Sequence, residues 1–107
     1  MNHESTLSNN TKDYLEVYYS ILDNMIEGMT NVTLTDSISH NFIIQMIPHH
    51  RAAIQMSENL LKYTTNIPLQ NIASGIITAQ TQSIAAMQKV QPYCSRITNL
   101  ERDLSLY

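Results

Sequence analysis

Two glycines and three prolines are the only strong chain-breakers in 107 residues, which leaves no material for a meander of short strands and tight turns. Few turns mean few, long elements. Tryptophan is absent and there is one cysteine, Cys94, so an intramolecular disulfide is excluded. Cys94 reads as a small buried hydrophobe near a helix junction. Six Lys and Arg stand against nine Asp and Glu, a formal charge of −3. Phosphate binding needs a basic face, so no nucleic-acid partner is expected. No uninterrupted apolar run approaches the ~18–20 residues of a membrane span, and no membrane partner is expected either. The opening MNHESTLSNNTKD has neither the basic nor the apolar region of a secretory signal. The expected location is therefore the cytoplasm.

What is present is a composition of 43% hydrophobic and 14% charged residues, which fits one folded domain. Residues 1–11 are polar and aperiodic and read as a disordered tail, leaving 12–107 as a single helical bundle domain. Tyr14, Tyr18, Leu22, Met25 and Met29 lie on one helical stripe. Gly28 and the segment NVTLT (31–35) close that helix, and Asp36 or Ser37 is a good N-cap for the next. The second helix spans about Ser37–Tyr63. With Met46 set at zero and 100° per residue, Phe42, Ala53 and Leu60 fall within about 40° of it, and Arg51, Gln55, Glu58, Asn59 and Lys62 lie opposite. Pro48 interrupts this helix at a cost of about 3 kcal/mol, yet the periodicity stays in phase across it, which predicts a kink rather than a break. TTNIP (64–68) is a turn, with Pro68 at the start of a third helix that carries Leu69, Ile72, Ala73, Ile76, Met87 and Val90. That helix is expected to end near Gln91-Pro92. A short fourth helix, about 93–106, presents Tyr93, Ile97, Leu100, Leu104 and Tyr107 and is the expected surface of a homodimer. The fold class is all-α: an antiparallel helical bundle of three long helices and one short one.

The apolar stripes carry polar residues that need an explanation. His50 falls at about +40° from Met46, His49 at about −60° and Ser39 at about +20°, all on the arc expected to be buried. Gln80 and Ser83 lie within the stripe of the third helix, and Tyr18 within that of the first. Each such group buried without a partner costs about 1–3 kcal/mol. They are therefore expected to meet one another, or a ligand, at the centre of the bundle. Imidazole suits Cu, Zn, Fe or Ni and thioether sulfur suits Cu(I), so Met46, one turn before His50, is a candidate ligand. Met25 and Met29 read as the usual adaptable core filler.

The stretch Phe42, Met46-Ile47-Pro48-His49-His50, Ala53-Ile54 and Met56 resembles the signature of a bacterial family, domain of unknown function 305. PLQNIASGIITAQTQSIAAM (68–87) is similar to that family's second block, and the two together cover about residues 37–90. The resemblance implies a ferritin-like helical bundle and a copper link, since some envelope members of the family bind copper. Carried over, the implied metal ligands are Met46, His49 and His50, with Met56, Gln80 and Met87 behind them. Ser39 and Ser83 stand where the family commonly has acidic residues, which removes hard oxygen ligands and leaves a softer set, copper before zinc, or no metal at all.

No Glu-x-x-His pair or HEXXH pattern is present, and no nucleophile–base pair or phosphate loop is legible. The function expected from these residues is soft-metal binding, copper-type buffering or handling rather than catalysis. The alternative is a non-catalytic, self-associating helical module in which the His pair belongs to a buried polar network.

Overall fold

A computed structural model describes residues 6–96. They form three helices and, among the described residues, no strand: α1 (Asn9–Thr30), α2 (Ile38–Leu61) and α3 (Ile67–Arg96). Helix α1 begins inside the stretch whose composition reads as a tail, because Ser8 caps it by accepting a hydrogen bond from the Thr11 amide at 3.2 Å. At its far end the Asn31 amide donates to the Glu27 carbonyl.

The first turn is held by its own side chains. Asn41 and Thr35 exchange two hydrogen bonds of 2.8 Å. Ser37, fully buried, accepts from the His40 amide at 3.1 Å as the N-cap of α2. The second turn is tied by Asn66, whose Oδ1 accepts from the Leu69 amide at 2.9 Å, while Gln70 Nε2 donates to the Thr64 carbonyl at 2.9 Å. Asn66 is thus the N-cap of α3 and Pro68 stands in its first turn, where its missing amide hydrogen leaves no bond unmade.

Helix α2 is the middle of the three and packs against both neighbours. Toward α3 it presents Ile43 and Ile47, which join Ile84 in the main core cluster with Ile54, Met87 and Cys94 packed around it. Toward α1 it presents a different set. Asn59, only 2% exposed, donates from Nδ2 to the Tyr14 carbonyl at 3.0 Å. Gln45 donates to the Met29 carbonyl at 3.2 Å. A Cβ placed on Gly28 would stand 3.0 Å from the Pro48 Cβ, so the absence of a side chain there lets α1 approach the proline ring. Both pairs of helices run antiparallel.

Five expectations change. Asn59 is buried rather than solvated, because α1 docks on the polar-looking side of α2. Ala52, not Ala53, is the fully buried alanine, while Phe42 is 55% exposed. Ser39 is exposed in the first turn of α2, and Ser37 takes the interior position. Pro48 lies inside an unbroken α2, but Pro92 does not end α3 as expected: the helix continues to Arg96. One missing amide is offset at that end, where Cys94 packs on the core cluster and its carbonyl accepts from Ser37 Oγ at 3.4 Å. The greater part of the expected fourth helix, residues 97–106, lies outside the described residues.

Candidate metal centre

Met46 and His50 are one turn apart on α2 and therefore share a face. Both are half-buried. His49 is exposed, and its ring centroid lies 6.0 Å from that of His50 with the planes tilted by 59°. Adjacent helical residues diverge by about 100°, and the two imidazoles accordingly meet different surroundings.

On α3, Gln80 and Met87 are two turns apart and half-buried. Met87 packs against the Ile43–Ile47–Ile84 cluster. Ser83, between them, is half-buried, whereas Ser39 is not available inside. Met56 is elsewhere: it lines an apolar groove of about 210 Å³ between α1 and α3 with Tyr14, Tyr18, Leu69, Ile72 and Ile76. Met25 borders a depression with Pro48, Arg51, Ala52 and Gln55, on the α1 side of α2.

Three buried side-chain atoms have no hydrogen-bond partner among the described residues: His50 Nδ1, Gln80 Oε1 and Asn59 Oδ1. The first two belong to the set singled out from the sequence. Asn59 does not, and its position on a polar arc gave no signal of burial. No group of three or more His, Cys, Asp or Glu side chains gathers among the described residues. A site built from those ligand types alone, such as a structural zinc or a di-iron carboxylate centre, therefore has no donor set here. A metal in this region would have to draw on thioether and amide groups as well as imidazole. No described helix is long and apolar enough to cross a membrane.

Comparison with known proteins bears out the family resemblance read from the sequence. A family model described as a domain of unknown function (DUF305) matches residues 7–91. No curated protein and no solved structure matches the chain.

Proposed function

The chain belongs to the DUF305 family, and from that membership and the donor groups of α2 and α3 we propose that it binds a soft metal ion of the copper type, buffering or handing it on rather than catalysing a reaction. The observation that carries this reading is the pair of unpartnered polar atoms, His50 Nδ1 and Gln80 Oε1, buried on neighbouring helices. Two buried polar atoms left unmatched cost about 1–3 kcal/mol each. A bound cation would satisfy both.

The helix register supports their meeting. Ser37 at the start of α2 bonds to Cys94 near the end of α3, and Ile47 and Ile84 share one cluster. Equal rise along the two antiparallel helices then sets residue 50 opposite residues 80–81. By the same register Met87 stands opposite residue 44, nearer to Met46 than to His50. Imidazole and amide thus enter the site from one end and the two thioethers from the other. His49, exposed beside His50, serves as the outer ligand at which an ion arrives from solvent. Copper would supply a soft Lewis acid that accepts sulfur as readily as nitrogen, whereas zinc gains little from thioether.

The same pair of atoms supports a second reading. If His50 carries its proton on Nδ1 and the two side chains turn toward each other, Nδ1 would donate to Gln80 Oε1, and the site would be a closed polar network that sets helix register. Metal analysis of untagged protein, together with His50→Ala, separates the two. Stoichiometric copper that disappears in the variant supports the metal reading; metal-free protein that only loses stability supports the network.

A further inference from the structure

Helix α3 carries two apolar seams, and α2 covers only one. Ala73, Ile77, Gln80, Ile84, Met87, Gln91 and Cys94 alternate at spacings of four and three, and all are buried or half-buried. Leu69, Ile72, Ile76, Ala79, Ser83, Ala86, Val90 and Tyr93 alternate at three and four over the whole helix, about 100° around from the first seam. Apart from the half-buried Ser83, every residue of this second seam is exposed, with the large ones running from 37% at Leu69 to 61% at Tyr93. A strict 3.5-residue repeat of apolar positions is the pattern by which one helix receives another.

We infer that the second seam is the interface between two copies of this chain, paired antiparallel through α3 about a twofold axis near residue 81. The seam is self-complementary in that register. Leu69 falls opposite Tyr93 of the second copy, Ile72 opposite Val90, Ile76 opposite Ala86, and Ala79 opposite Ser83. Large residues meet at the ends and small ones at the centre, which lets the helix axes come close where they cross. An isologous contact of this kind closes on itself and stops at two copies.

Charge permits it. The 30 residues of α3 contain Lys89 and Arg96 but no acidic residue, and neither cation occupies a seam position. The area reaches the lower limit for a specific interface. The large seam residues, 37–61% exposed, leave on the order of 500 Å² on each copy, which if wholly covered reaches about the 1,000 Å² in total that a specific interface should clear. Leu69, Ile72 and Ile76 also form one wall of the apolar groove whose other wall is Tyr14 and Tyr18 of α1. The C-terminal half of the second copy's α3 lies over that groove.

The test uses the full chain after treatment with a chelator, so that its outcome is independent of any metal. Sedimentation at concentrations up to ~50 µM should show a monomer–dimer equilibrium with a dissociation constant in the micromolar range. Ile72→Glu, which places two carboxylates in the seam of each dimer, should weaken association at least a hundredfold while the circular dichroism stays helical. Val90→Glu should do the same. Register is read by oxidising a mixture of two Cys94→Ser chains, one carrying Ile72→Cys and the other Val90→Cys. The mixed disulfide should form ahead of either homodimer. A chain that stays monomeric to ~50 µM overturns the proposal, as does association that both glutamate variants leave intact. Preferential Ile72→Cys homodimers would overturn the antiparallel register.

Discussion

Gly75 lies in the interior of α3 and Gly28 in the last turn of α1, and replacing each by alanine should have different effects on stability. In an exposed helix interior alanine is favoured over glycine by about 0.8–1.0 kcal/mol, because glycine loses more backbone freedom on folding. Gly75 on α3 has nothing within 4 Å of where its Cβ would stand, so Gly75→Ala should raise stability by about that amount. Gly28, in the last turn of α1, gains at most that intrinsic preference, but its Cβ would meet Pro48 Cβ at 3.0 Å and Cγ at 3.4 Å. Pro48 cannot turn away: its ring is closed on a backbone that is itself held inside α2. Helix α1 must move off by a few tenths of an ångström, which loosens the seam around Ile21 and strains the Asn59–Tyr14 and Gln45–Met29 hydrogen bonds. Overpacking of this kind costs about 1–3 kcal/mol, which cancels or outweighs the helix preference. The two variants should therefore differ by at least about 1 kcal/mol, Gly75→Ala being the more stable. That corresponds to a separation of roughly 4–8 °C in Tm for a domain of this size. Urea unfolding of both variants and the parent, at one protein concentration so that any self-association is held fixed, measures it. Equal stabilisation by the two alanines would refute the close approach of α1 to the proline.

Three further outcomes are expected. Ile47→Ala, at the centre of the cluster with Ile43 and Ile84, should cost about 2–5 kcal/mol in the same unfolding measurement, whereas alanine at the 55%-exposed Phe42 should cost far less. Ser37→Ala removes both the α2 cap and the bond to the Cys94 carbonyl and should lower stability by about 0.5–2 kcal/mol; amide exchange should quicken in the first turn of α2 and around residue 94 together. In competition with zinc, copper(I) should win, its binding should weaken on acidification because the imidazole must be unprotonated to ligate, and Met46→Leu should reduce affinity sharply at nearly constant core volume. Copper affinity untouched by Met46→Leu but abolished by His50→Ala would show that sulfur takes no part.

Local chemistry was readable from the residues in order. The three long helices follow from apolar spacing and scarce breakers, the Ser37 cap from a serine beside an apolar run, and the place of Pro48 inside α2 from a periodicity that does not slip across it. Each depends on groups within one or two turns of one another, so neighbouring residues suffice to decide them. The pairing of faces does not. One apolar arc centred on Met46 suggested a helix with a single buried side, but α2 has a neighbour on either flank, and its α1-facing side is made of Gln45, Pro48, Ala52 and Asn59, residues that periodicity assigns to solvent or passes over. Asn59 is buried because the Tyr14 carbonyl, 45 residues away in sequence, receives its amide. Pro92 stays helical because Ser37 and the isoleucine cluster hold the end of α3. Burial depends on where a remote helix docks, and docking is settled by the shapes of two whole surfaces, which no window along the chain contains.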